Sequence, residues 1–218
     1  MENINRVKNV VDYYVLCNKL KQVIRAGWIN WKVERDRIES VAEHVYGVQQ
    51  LAIAMWSEYD YDIDIFKVIF MLAVHELEEI VIGDLTMWDI TPDEKLNMGH
   101  SAVQTILKDL LEKEEIEKLI HEFDARETKE AKFAYFCDKL ECDIQSKLYD
   151  EEASVDLTNQ NDNPSFHDKK VQKLLKEKDS WSAMWLAFSR DRCNYDANFT
   201  EVSNYVENNN ISKLRKKL

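Results

Sequence analysis

The chain has 218 residues and a formal net charge of −12, enough for one sizeable core and too acidic for a general nucleic-acid surface, which needs a basic patch. Its 4 Gly and 2 Pro are too few for the tight turns of a sheet protein. An all-α fold of long helices, forming one domain over residues 1–218, is the expectation.

Residues 4–24 place Val7, Val10, Val11, Tyr14, Cys17, Leu20 and Ile24 with steps of three and four dominating, a helical period, and Lys8, Asp12, Lys19 and Gln22 left to face water. Gly27 is expected to cap this helix, and residues 29–39 to form a loop. Ser40-Val41-Ala42-Glu43 has the capping-box pattern and opens a second helix. Val41, Val45, Val48, Ala52 and Met55 form its apolar face, with His44 beside it. Asp62 or Asp64 caps a third helix, expected to run to about Ile82 and stop at Gly83. After a connection from Leu85 to Pro92, residues 93–112 and 114–123 read as two more helices.

Thr128 to about Tyr149 is a long amphipathic helix with Ala131, Ala134, Cys137, Ile144 and Leu148 inward and Asp138 and Glu141 at its middle. Residues 151–167 read as a polar loop. Two shorter helices follow, one carrying Trp181, Trp185 and Phe188 at core or interface spacing. The basic tail from Lys213 is expected to fray and to be solvated. Cys17, Cys137, Cys142 and Cys193 form no C-x-x-C pair, so reduced thiols in a cytoplasmic protein are expected. The polar N-terminus carries no signal-peptide core, and no apolar run is long enough to span a membrane.

Chemistry concentrates in His75-Glu76-Leu77-Glu78-Glu79-Ile80-Val81-Ile82-Gly83-Asp84, which follows the apolar run Ile65 to Val74. Charged groups at the end of a core helix need partners or a metal. Glu79 lies one α-helical turn after His75, which puts both on one face. A histidine with carboxylates suits a divalent ion. Each residue also has a plainer role: a lone core histidine is usually hydrogen-bonded, and a mid-helix Asp138 is usually in a salt bridge. His44, His75, Glu76 and Asp138 together are more telling than any one of them. His100, His121 and His167 lie in polar stretches and are expected to face water. The zinc-peptidase pattern H-E-x-x-H is excluded, because Glu79 stands where its second histidine belongs. No P-loop, nucleophile elbow or dinucleotide glycine turn is present.

Arg25-x-Gly27-Trp28, Arg37-Ile38-Glu39-Ser40-Val41-Ala42-Glu43-His44, His75-Glu76-x-x-Glu79-x-x-x-Gly83-Asp84 and Ala131-Lys132-Phe133 leading to Asp138-Lys139-Leu140-Glu141 resemble the HD-domain phosphohydrolases, in particular their 5′-deoxynucleotidase branch. The resemblance covers residues 5–150, with 151–218 as a C-terminal helical extension. It implies an HD-type helical bundle, often a homodimer, that holds one divalent ion (Mn, Co, Mg, Zn or Fe) and removes phosphate from deoxynucleoside 5′-monophosphates. It further implies His44, His75, Glu76 and Asp138 as metal ligands, Glu79 and Asp84 as catalytic acids or bases, and Arg25 and Trp28 as contacts to a nucleotide substrate. Glu76 departs from the pattern, which has an aspartate there, and the Trp28–Arg37 loop is slightly longer than usual. A non-catalytic HD fold that binds a nucleotide or a partner protein is the competing class. Glu79, Asp84 and Arg25 favour the enzyme; Glu76 favours the binder.

Overall fold

Helix α1 (Arg6–Cys17) is capped by the Asn5 side chain and tightens into a 3-10 turn over Asn18–Lys21. The computed structural model describes residues 5–214; the first four residues and the last four of the basic tail lie outside that range. The helix expected over 4–24 therefore stops early. The reason lies in the β-branched pair Val23-Ile24, which favours extended backbone and forms an isolated antiparallel bridge, Ile24 opposite Ser40. Arg25 N–H donates to Glu39 O at 3.1 Å and Val41 N–H to Val23 O at 2.8 Å. Helix α2 (Ala26–Asn30) begins next, so Gly27 sits inside a helix instead of capping the one before. The apolar stripe of α1 is not covered: Val7, Val10, Val11 and Tyr14 are 53–77% exposed.

Helix α3 (Val41–Glu58) starts at the expected capping box and buries Val41, His44, Val48, Ala52 and Met55. Helix α4 (Ile65–Val74) is capped by Asp64, whose carboxylate accepts from the Phe66 and Lys67 N–H groups. It does not continue to Ile82. His75 Nδ1 lies 2.8 Å from Leu72 O, the carbonyl that an unbroken helix would offer to the Glu76 N–H. The chain instead makes three-residue turns, with Leu77 N–H on Val74 O and Glu79 N–H on Glu76 O, both at 3.2 Å. Helix α5 (Glu79–Ile82) then restarts and ends at Gly83, whose φ of 73° and ψ of 170° only glycine adopts readily.

Helices α6 (Pro92–Leu107) and α7 (Lys113–Ala125) follow, the first opened by a Thr91–Glu94 capping box. Helix α8 (Lys129–Glu151), capped by Thr128, is the central element; α3, α4 and α7 pack on it. Among the described residues, three α-helices come after it where two were expected: α9 (Lys169–Glu177), α10 (Trp181–Cys193) and α11 (Ala197–Asn208). The last was hidden in sequence because its buried face includes a serine, Ser203, between Phe199 and Val206. Helices α10 and α11 also pack on α8. The polar segment 151–167 turns partly inward: Gln160 and Asn163 are each 1% exposed, and Gln160 Nε2 donates to Trp31 O at 3.0 Å.

The fold is thus a single-domain, all-α bundle with three apolar clusters. One joins α3, α4 and α8 through Val48, Met71, Leu72, Ala134 and Leu140. A second groups Val103, Leu107 and Ile120 of α6 and α7 with Val74 and Ile80. The third packs Trp28 and Trp31 against Tyr149, Trp181 and Met184. Among the described residues, no helix is long and apolar enough to cross a membrane.

Candidate metal centre and its cavity

Capping and the bridge decide where the polar groups go. The Ser40 cap starts α3 one turn before His44, which is fully buried. The end of α4 presents His75, 3% exposed, and α8 presents Asp138, also 3% exposed. His44, His75, Glu76 and Asp138 each offer a donor atom, and these atoms all lie within 4.8 Å of one another. Glu76 Oε1 is 3.8 Å from the Nε2 atoms of both histidines, and His44 Nε2 is 3.2 Å from Asp138 Oδ1.

Their other atoms are already engaged. His44 Nδ1 faces Glu141 Oε2 at 2.6 Å, and Asp138 Oδ2 pairs with Lys139 Nζ at 2.8 Å. His75 Nδ1–H donates to Leu72 O. What remains without a hydrogen-bond partner is His44 Nε2, His75 Nε2 and Asp138 Oδ1. Buried polar atoms of this kind are costly unless satisfied. Imidazoles oriented through Nδ1, one of them by a carboxylate, are how metal-ligating histidines are held. The residues present therefore fit a divalent ion.

The electrostatics follow from burial and from carboxylate crowding. Burial pushes the Glu76 carboxyl up, but His75 and Arg25 outweigh it and hold the group at about 2. For His44, burial and Arg25 oppose protonation, while Cys142, Glu141 and Asp138 raise its pKa well above the ordinary value. A proton there and a cation compete for the same lone pair. His75 is kept lower by burial. Burial, reinforced by Glu76 and Asp84, pushes Glu79 well above the usual carboxylate range.

Three of the four donor residues, His75, Glu76 and Asp138, line a cavity of about 390 Å³ together with Arg25, Glu79 and Asp84, while His44 lies fully buried behind them. Glu79 is 1% exposed, with Oε2 unpartnered and Oε1 3.5 Å from Lys95 Nζ. The break after His75 means that Glu79 reaches this cavity from a separate helical turn, not from the same face of one helix. Asp84 Oδ2 accepts from Ala26 N–H at 2.8 Å and lies 3.5 Å from Arg25 Nη1. Arg25 Nη1 is also 3.4 Å from Glu76 Oε1.

Trp28 is placed differently from the expectation that it touches substrate. It is 1% exposed, donates from Nε1 to Glu39 Oε2 at 2.8 Å, and packs edge-on against Tyr149 and Trp181. It supports the cavity wall from behind, whereas Trp31, Trp88 and Trp185 line it. Trp185 and Phe188 accordingly do more than fill a core. His100 does not simply face water either: its Nε2 is 2.8 Å from Asp124 Oδ2 and its ring is 4.1 Å from that of His121. His121 and His167 are exposed.

Lys95, Lys139 and Cys142 also line the cavity. Lys95 lies in a polar helix start beside Asp93 and Glu94, which gives no signal in sequence. Lys139 and Glu141 were detectable, since each lies within one turn of a mid-helix aspartate that needs partners.

Residues 17–178 match the family model described as HD domain. A 5′-deoxynucleotidase HDDC2 from Dictyostelium discoideum is 32% identical over 154 residues, which is 67% of this chain and 80% of that protein. The protein of the same name from Xenopus laevis is 31% identical over 147 residues, 66% of this chain and 71% of its own length. Among solved structures, PH0347 from Pyrococcus horikoshii OT3 shares the fold at a TM-score of 0.59, with 21% identity over 90% of this chain and 98% of that one. A protein described as a predicted metal-dependent phosphohydrolase from Magnetospirillum magnetotacticum MS-1 does so at 0.58, with 22% identity over 87% and 94%. With a family match that runs from the end of α1 to just past α9, and relatives above 30% identity, the chain belongs to the HD-domain family and is a homologue of the HDDC2-like 5′-deoxynucleotidases.

Proposed function

We propose that the protein is a divalent-metal-dependent phosphohydrolase that removes phosphate from (deoxy)nucleoside 5′-monophosphates. The observation that carries this is the convergence of His44, His75, Glu76 and Asp138, with three unpartnered donor atoms, at a cavity that also holds Glu79. The names of the HDDC2 relatives support the substrate class. A divalent ion held by His44, His75, Glu76 and Asp138 would supply Lewis acidity for activating a water and polarising a phosphoryl oxygen.

The chain's own residues do the rest. Glu141 and Leu72 O orient the two imidazoles. Glu79 takes the proton of the attacking water at its unpartnered Oε2, and Lys95 holds the opposite oxygen. Arg25, aligned by the Ile24–Ser40 bridge, neutralises the phosphate, and Asp84 anchors both Arg25 and the start of α2. The proton that Glu79 takes is returned to the leaving oxygen, and Asp84, in the same cavity lining, assists that transfer. Trp28 serves the substrate indirectly, through the wall it supports. The homodimer implied by the resemblance gains support from the uncovered apolar stripe of α1. A reducing, cytoplasmic setting fits four free cysteines.

One observation favours a second reading. Glu76, in place of the family's aspartate, spends part of its charge on Arg25 at 3.4 Å, as it could in a non-catalytic nucleotide binder. A phosphate-release screen over nucleoside monophosphates with Mn²⁺, Co²⁺, Mg²⁺ and Zn²⁺ separates the two. Activity should appear, and Glu79→Gln should lower it about 10²–10⁴-fold with metal content retained. An inactive wild type with bound metal moves the assignment to the binder.

A further inference from the structure

The cavity lining combines two chemistries: the charged Arg25, Glu76, Glu79 and Lys95, and the apolar or aromatic Met87, Trp88, Leu96, Trp185 and Phe188. Two of these three aromatic residues, Trp185 and Phe188, come from α10, which begins at Trp181, beyond the last residue of the family match at 178. Trp88, in the connection after Asp84, and Phe188 form adjacent panels, ring centroids 6.4 Å apart and tilted by 36°. Trp185 continues the wall: its ring lies 5.0 Å from Trp28 and 5.6 Å from Trp181, so it is braced from behind. The two sides of the wall are tied together where Arg192 Nη1 lies 3.2 Å from Met87 Sδ.

We infer that α10, through Trp185 and Phe188 with Trp88 beside them, forms the subsite that reads the leaving group, and that it selects phosphomonoesters whose alcohol carries a planar aromatic base. The inference deepens the proposed function and rests on it for the position of the phosphate. The physical case is that Trp88, Trp185 and Phe188 are half-buried in a cavity whose lining also carries the charged Arg25, Glu76, Glu79, Asp84 and Lys95. Large aromatic faces left partly open at the edge of a polar site suit a flat, weakly polar ring. Stacking a base on one aromatic side chain corresponds to roughly 5- to 150-fold in affinity.

The test compares two probes with the same phosphate and sugar: deoxyadenosine 5′-monophosphate and 2-deoxyribose 5-phosphate. Calorimetric titration of the full chain in chelator, which needs no turnover, should show the nucleotide bound at least about tenfold tighter. Phe188→Ala and Trp88→Ala should each collapse that ratio toward one, and Phe188→Tyr should keep it. With divalent ion present, the ratio of kcat/KM for the two probes should fall in parallel. Equal binding of the two probes by the wild type overturns the inference. So does a loss in the alanine variants that falls on both probes alike, because a merely structural wall lowers both and leaves the ratio intact. Failure to bind either probe overturns it together with the proposed function. Selective binding without turnover under any ion sinks the hydrolase and leaves the subsite; turnover without selectivity does the reverse.

Discussion

Asp143 shows how a single buried carboxyl writes itself into stability. It lies on α8, fully buried, and accepts from Tyr195 Oη at 3.0 Å, with Ser189 and Arg190 of α10 and Lys139 of its own helix facing it. Burial still dominates and pushes the carboxyl up from 3.8 to about 7. A carboxyl raised in the folded state contributes stability that is complete below its unfolded pKa and is lost as pH rises through the folded one. The window here is therefore pH 4 to 7. Asp143→Asn keeps an acceptor for Tyr195 and cannot ionise. Its stability relative to the wild type should be near zero at pH 4 and should rise to on the order of 2–4 kcal/mol at pH 8. Urea titrations at the two pH values check this; a pH-independent difference would mean that Asp143 is not the titrating group.

At the scale of elements, the close approach of α3 and α8 matters most, because Glu141 reaches across it to His44. Gly47 makes the approach possible. A Cβ at that position would sit 2.6 Å from Glu141 Oε1 and 3.2 Å from its Cδ. Gly47→Ala should gain about 1 kcal/mol of helix propensity, yet push Glu141 off the imidazole. Disturbing such an orienting carboxylate typically costs about 10–100-fold in metal affinity. A chelator-competition titration should show that loss with little fall in melting temperature. Unchanged affinity would mean that Glu141 has another route to His44.

For the whole molecule, the donor cluster ties α3, the end of α4 and α8, the same helices that share the first apolar cluster. An ion bound there stabilises the folded chain by mass action, about 2.7 kcal/mol at one hundred times Kd, or about 5–10 °C in melting temperature for a chain of this size. Scanning calorimetry with and without Mn²⁺ should show that rise, and His44→Ala should abolish it. Assembly is tested by the apolar stripe of α1, where Val11 is 53% exposed between Val10 and Tyr14. Sedimentation velocity should find a dimer in the wild type and a monomer in Val11→Glu; a monomeric wild type would overturn the dimer.

The sequence by itself determined the helical class, the Ser40 capping box, a cap for α4 at either Asp62 or Asp64, and much of the buried faces of α3 and α8, because capping and 3.6-residue periodicity are local physics. It also singled out His44, His75, Glu76 and Asp138, since polar groups inside apolar helices stand out against their neighbours. Only the tertiary structure decided how they meet. His75 turned its own Nδ1 onto Leu72 O and broke the helix that periodicity would have continued. Trp28 went into the core and Trp185 onto the cavity, although both are tryptophans near glycine or apolar residues in sequence. Lys95 found Glu79 from sixteen residues away. The stripe of α1 kept a helical period with nothing in its own chain to cover it. Periodicity reports that a helix has an apolar side; which partner meets that side is set by long-range packing, which no local window contains.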